Sequence, residues 1–246
     1  KIKTKVNLAG LTSFKIGGRA EYYFEPENLK SLQQALISAK QAGLDVFILG
    51  AGSNILVSDS GLNGLVIKLS AKNFKKIDCQ GRCIIAGSGL KLSQLILFAA
   101  KHGLSGVEFL AGIPGSLGGS LIGNAGAWGN SIGVLVKQLC VLDYSGKLKT
   151  LSFNQLKFGY RKSNLSKFII IWAKLKLRAE NKKVIAIRAR EYLARRKATQ
   201  NNILPNAGCI FKNPGQVSAG MLIDLCGLKG NRRGKAVICR QHANFI

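Results

Sequence analysis

The chain has 246 residues, 47% of them apolar, and 37 lysines and arginines against 11 aspartates and glutamates give a formal net charge of +26. That apolar share suffices for a core and excludes charge-driven disorder, while apolar runs such as Leu95–Ala100 and Phe168–Ala173 fall well short of the ~20 residues that span a bilayer. No membrane insertion is expected from runs this short, and although the charge implies attraction to polyanions, its lysines and arginines are spread along the whole chain, so no nucleic acid is expected as a partner, with a basic nucleic-acid-binding protein using the 182–198 helix as an alternative.

The N-terminal segment has no apolar stretch suited to a secretory signal and no initiator Met, so a cytoplasmic location and a longer native chain are expected. The first ~75 residues read as a βαβ-type lobe: after Ala20–Phe24 a helix is signalled by Asn28 as N-cap, Leu29, Leu32, Leu36 and Ala39 at helical spacing, and Gly43 as its stop. Val46–Leu49 reads as a short buried strand and Gly64–Leu69 as a second, with a composition shift over 71–76 marking a boundary. Strands at 84–86, 139–142 and 168–173 and a helix around Leu92, Leu95, Ile96 and Ala99 that stops at Gly103 fill the next stretch. A basic helix over 182–198, a loop holding Pro205 and Pro214, and a short helix over 217–226 complete the chain. Three lobes are predicted, over 1–76, 77–178 and 179–246, the last incomplete at its C-terminal end.

The cysteines at 79, 83, 140, 209, 226 and 239 form no C-x-x-C pair and the chain has two histidines, so neither a metal site nor a disulfide framework is predicted. Cys140, Cys226 and Cys239 read as core residues. Two loops combine glycine with small polar residues: Gly50-Ala51-Gly52-Ser53-Asn54 after a strand, and Gly112-Ile113-Pro114-Gly115-Ser116-Leu117-Gly118-Gly119. Glycine lets backbone N–H groups converge on a phosphate without a charged side chain, so a diphosphate is their natural guest, with ordinary tight turns as the alternative. Ile55 breaks the G-x-G-x-x-G spacing of a dinucleotide fingerprint.

Thr12–Gly18, the 50–54 loop with Asp59 and Gly61, the 112–119 loop, Asn124-Ala125-Gly126-Ala127, Phe158–Ser163, Ala207–Pro214, Gly227–Gly230 and His242–Ile246 occur in an order that resembles the UDP-N-acetylenolpyruvoylglucosamine reductase (MurB) family. The resemblance implies an α+β protein: a two-lobe α/β fold of the vanillyl-alcohol-oxidase type holding FAD, plus a smaller α+β domain binding the UDP-sugar. It implies reduction of the flavin by NADPH and then hydride delivery to an enolpyruvyl ether, yielding UDP-N-acetylmuramate for peptidoglycan synthesis; separately, a monomer is expected. The loops at 50–54 and 112–119 and the Asn124-Ala125-Gly126 turn would cradle the FAD. Arg161 would face the substrate carboxylate, Cys209 would donate the proton, and Tyr160, Lys212, Asn213 and His242 would contact the substrate.

Chemistry supports the two catalytic positions. Hydride addition to a vinyl carbon builds enolate charge on the carboxylate, which calls for a fixed cation and an acid. A guanidinium stays charged and binds a carboxylate bidentately, and a thiol is acidic enough to protonate a carbanion. The run Arg195-Arg196-Lys197 before Gln200 matches a basic segment of the family and reads otherwise as a solvated helix end, with Asn201 where the family has proline. The family's C-terminal glutamate has no counterpart by motif, so a chain of this length is expected to bind FAD and turn over poorly, or to be an FAD-binding homologue without turnover. The 48-residue interval from Arg161 to Cys209 fits the compact form of the family.

Overall fold

The structure, a computed structural model, describes residues 1–200 and 204–246; Asn201 lies outside the described residues. Strands β1 (Lys3–Asn7) and β2 (Arg19–Phe24), helix α1 (Leu29–Gln41), and strands β3 (Val46–Leu49) and β4 (Leu62–Lys68) form the first lobe. The middle of the chain contributes β5 (Ile77–Gln80), β6 (Cys83–Gly87), α2 (Leu92–Lys101), β7 (Leu104–Ser105), α3 (Leu117–Ile122), β8 (Gly126–Ala127), β9 (Asn130–Ser131) and β10 (Val136–Asp143). It continues with β11 (Leu148–Ser152), β12 (Phe158–Gly159), β13 (Lys162–Ser163), β14 (Phe168–Lys176) and β15 (Arg178–Ala179). Helices α4 (Lys182–Thr199) and α5 (Ala219–Leu225) and the hairpin β16 (Arg232–Arg233) and β17 (Ala236–Val237) follow.

Helix α1 begins where a capping box dictates: Asn28 Oδ1 accepts from Ser31 N at 3.0 Å and Ser31 Oγ accepts from Asn28 N at 3.2 Å. The first sheet has the order β1-β2-β4-β3, with β4 parallel to β2 and β3. β3 is therefore an edge strand, and the burial expected of it fails for Phe47 and Ile48, each 37% exposed. An apolar tetrapeptide does not reveal whether a second neighbour covers it.

The second sheet, β11-β10-β14-β6-β5, is antiparallel throughout. Successive side chains of a strand point to opposite faces. Leu139, Val141 and Ile170 enter a core with α2 and α3, while Cys140, Leu142, Ile169 and Ile171 pack with Leu32 and Leu36 of α1, Leu65 and Ile67 of β4, and Phe74. The sheet is buried on both faces, which accounts for the unbroken apolar run at 168–173. Phe74, from the segment expected to be a boundary, is 2% exposed in the core shared by the two sheets.

Ile185, Ala189, Tyr192 and Leu193 of α4 face the larger core. The helix is pinned by Glu108, which is 2% exposed. Its Oε1 accepts from Arg188 Nη1 at 3.1 Å and its Oε2 from Gly106 N at 2.6 Å. Glu108→Ala leaves the Gly106 amide without its acceptor and removes one partner of Arg188, which keeps Ser105 Oγ at 3.0 Å and Glu180 Oε2 at 3.7 Å, so urea unfolding should show a loss of about 1–2 kcal/mol.

All six cysteines are free. Cys226, expected in the core, is exposed, because it caps the short α5, whose Met221 and Leu225 also face solvent. Among the described residues no helix is long and apolar enough to cross a membrane, and no group of three or more His, Cys, Asp or Glu side chains is arranged to hold a metal.

Candidate active site

The strand β3 runs into the first glycine loop, where Gly52 has φ +69° and a Cβ would lie 2.2 Å from Leu11 O. Only glycine fits there. Among the described residues the N–H groups of Ala51, Gly52, Ser53 and Asn54 donate to no protein acceptor, leaving a run of free donors on one turn. The second loop meets the first: Ser53 Oγ donates to Pro114 O at 2.6 Å, and a Cβ on Gly50 would lie 2.8 Å from Ser116 Oγ. Gly112, at φ +78°, and Gly115 belong to this loop.

Gly118 and Gly119, read from the sequence as loop, lie in the first turn of α3, whose N-cap is Ser116. Their N–H groups donate to Ser88 O at 2.8 Å and Ser116 Oγ at 3.4 Å. A Cβ on Gly118 would come within 2.9 Å of Ser88 Cβ, so close packing requires glycine at that position. A helix this rich in glycine lacks the apolar periodicity that marks helices in a sequence.

Tyr160 and Arg161 form the turn of the β12–β13 hairpin, Arg161 at φ +52°. Its guanidinium reaches three acceptors on two other segments. Nη2 donates to Asn54 Oδ1 at 3.3 Å and to Cys209 O at 3.1 Å, and Nη1 donates to Phe211 O at 3.2 Å. A first-loop residue, the hairpin arginine and the cysteine thus converge from positions 107 and 48 residues apart.

Burial raises the Cys209 thiol pKa, and the positive charges of Arg161 and Arg196 oppose that shift. The net direction keeps the thiol protonated. Around it, Tyr160 Oη accepts from Asn213 N at 3.2 Å, and Ser13 Oγ donates to Asn206 O at 2.7 Å. Asn213 Oδ1 accepts from Ala219 N at 3.0 Å, and Lys212 is exposed. Asn244, 3% exposed, grips Phe211 on both sides, its Oδ1 accepting from Phe211 N and its Nδ2 donating to Phe211 O, each at 2.9 Å.

His242 lies beside Asn244 on the side of Gly220, where a Cβ would fall 3.7 Å from its ring and 3.6 Å from Asn244 Cβ. Its ring packs on Phe245 at 4.5 Å with Nδ1 buried and unpartnered, and burial lowers its pKa toward the neutral form. Asn124 Oδ1 accepts from Gly133 N and its Nδ2 donates to Gly159 O, both at 3.0 Å; Ala125 and Gly126 follow it into β8.

In the run Arg195-Arg196-Lys197, the outer two side chains are exposed as a solvated helix end requires, and Arg196 is the exception. It is 8% exposed, with Nε donating to Ala111 O at 3.0 Å and Nη1 to Gln200 Oε1 at 3.1 Å. Its guanidinium lies 4.9 Å from the Trp128 ring centroid, and Nη2 is buried without a partner. A Cβ on Gly112 would strike its Cδ at 2.7 Å, so the second loop bends around this side chain. The signal was present in the sequence: residue 196 continues the stripe 185, 189, 192, 193 that α4 buries.

Residues 20–152 match the FAD binding domain family, and residues 198–246 match the family described as UDP-N-acetylenolpyruvoylglucosamine reductase, C-terminal domain. The UDP-N-acetylenolpyruvoylglucosamine reductase of Desulforamulus reducens is 40% identical over 237 residues, 96% of this chain and 78% of that relative. The crystal structure of UDP-N-acetylenolpyruvylglucosamine reductase (MurB) from Thermus caldophilus superposes with a TM-score of 0.89 at 36% identity, covering 100% of this chain and 87% of that one. 6-Hydroxy-D-nicotine oxidase from Arthrobacter nicotinovorans, at 16% identity and a TM-score of 0.58 over 73% of this chain and 42% of its own, shares the fold of the FAD-binding lobes. From motif order, fold and sequence identity together, the chain belongs to the UDP-N-acetylenolpyruvoylglucosamine reductase family, with a two-lobe FAD-binding α/β fold and a smaller α+β domain.

Proposed function

We propose that this chain is an NADPH-dependent flavoenzyme that reduces UDP-N-acetylenolpyruvoylglucosamine to UDP-N-acetylmuramate, in the cytoplasm and as a monomer of the compact form of its family. The observation that carries the reading is the convergence of Arg161 on Cys209 and Asn54. It sets a permanent cation on the carbonyl of Cys209, whose thiol its charge reaches, and on the end of a donor-rich loop.

The residues fit FAD. The free N–H groups of Ala51–Asn54 suit the diphosphate, with Gly50, Gly52, Gly112, Ile113, Pro114, Gly115, Ser116, Gly118, Gly119 and the backbone of Asn124-Ala125-Gly126 lining the approach. Arg196 Nη2 is a buried donor still seeking an acceptor, and a flavin or its substrate offers one. Bound there, FAD supplies the hydride relay between NADPH and the vinyl group.

The chain's own residues do the rest. Arg161 binds the substrate carboxylate and stabilises the negative charge that develops on it. Cys209 Sγ holds a proton and gives it to the carbon that becomes carbanionic. Tyr160, Lys212 and Asn213 contact the sugar nucleotide, the exposed ammonium of Lys212 suiting its diphosphate, and His242 supports that lobe. Division into lobes at 1–76, 77–178 and 179–246 is part of the same proposal.

The test is a visible spectrum after incubation with FAD and desalting. A retained, perturbed flavin band, bleached by NADPH and restored by UDP-N-acetylenolpyruvoylglucosamine, is expected. No retained flavin, or bleaching that the UDP-sugar does not reverse, sinks the reading.

A further inference from the structure

We infer that Asn124 is a positioning residue for Arg161: its side-chain amide fixes the hairpin that aims the guanidinium, in addition to the backbone part its segment takes in the cradle. The inference rests on the proposed role of Arg161 at the substrate carboxylate.

Arg161 needs support. A two-residue turn with a bulky side chain at φ +52° sits in the left-handed region that L residues enter reluctantly, and the β12–β13 ladder holds only two residue pairs, Phe158 with Ser163 and Gly159 with Lys162. Such a hairpin is not stable by itself. Asn124 is itself at φ +45°, a conformation asparagine tolerates better than most residues. That backbone aims its side chain between two segments. Nδ2 donates to Gly159 O at 3.0 Å, two residues before Arg161, and Oδ1 accepts from Gly133 N at 3.0 Å.

The Gly133 end is rigid. A Cβ on Gly133 would fall 2.4 Å from Phe158 Cγ and 2.8 Å from Asn124 Oδ1, so the hairpin and the amide pack directly on that backbone. Ser163 Oγ, donating to Ile122 O at 2.8 Å, ties the other strand of the hairpin to the end of α3. The side-chain amide supplies the donor and the acceptor from two separate atoms, so it serves Gly159 O and Gly133 N at once.

The experiment uses the FAD-loaded chain and calorimetric titration with UDP-N-acetylenolpyruvoylglucosamine, together with thermal unfolding and flavin retention. Asn124→Gly keeps the backbone conformation and deletes both bonds. The expected result is about tenfold weaker substrate binding, with flavin retention unchanged. In an Arg161→Ala background, the same substitution should add less than about twofold, because its effect runs through Arg161. If Asn124→Gly does not fold, Asn124→Asp serves: it keeps the acceptor for Gly133 N and sets a carboxylate oxygen against Gly159 O, and the same loss is expected. Equal losses with and without Arg161→Ala, or no loss when Asn124 alone is replaced in the otherwise wild-type chain, overturn the inference. Arg161→Ala without effect on affinity overturns the assignment of Arg161 and this inference with it, whereas an effect of Arg161→Ala alone overturns only the role of Asn124.

Discussion

Arg161→Lys is expected to slow the restoration of the flavin band by UDP-N-acetylenolpyruvoylglucosamine by about 10²–10³-fold, the range for removing one preorganised donor at developing charge. Bleaching by NADPH should change by less than about threefold, because charge on the enolpyruvyl carboxylate develops only in the second step. Lysine keeps the charge and loses the planar fork, so it can neither grip a carboxylate bidentately nor hold Asn54 Oδ1, Cys209 O and Phe211 O at once. The measurement is stopped-flow absorbance of the two steps separately. Equal slowing of both would assign Arg161 to the general architecture of the cleft rather than to the carboxylate.

Cys209→Ala is expected to lower the same second step by about 10²-fold or more, the scale of a positioned general acid, with FAD binding intact. The pH dependence carries a second signature. The thiol must be protonated to act, so the rate falls as pH rises through its pKa. Burial moves that pKa up, with Arg161 and Arg196 pulling the other way. The descending limb should therefore lie above the range of an ordinary exposed thiol and should be absent in Cys209→Ser, whose hydroxyl does not ionise in that window. An alkaline limb that persists unchanged in Cys209→Ser would assign it to another group. Alkylation offers an independent check: with wild-type protein, iodoacetamide should modify Cys209 more slowly than the exposed Cys226 at neutral pH.

Local information settled much of this protein. Helix α1 is written in its N-cap, its apolar spacing and Gly43, which the structure holds at φ +65°. α2 is legible in its apolar spacing and Gly103, α4 as a basic helical run, and the glycine loops announce themselves because a positive φ or a close approach excludes other side chains there. The order of short motifs along the chain sufficed to indicate the family, since each motif records a local backbone requirement.

Tertiary structure decided what local pattern cannot carry. Whether Val46–Leu49 is covered depends on a neighbour that the strand never acquires, and whether Phe168–Ala173 is buried on both faces depends on α1 arriving from the first lobe. Arg196 looks like surface in a basic run, and only docking of α4 on the larger core takes its guanidinium out of water. The site itself is non-local: Arg161 meets Asn54 and Cys209, and Asn124 reaches Gly159, through hydrogen bonds spanning 35 to 107 residues. Residue type and spacing determine which groups can do the chemistry, whereas the distances between them are set by packing that closes loops far longer than any periodicity can report.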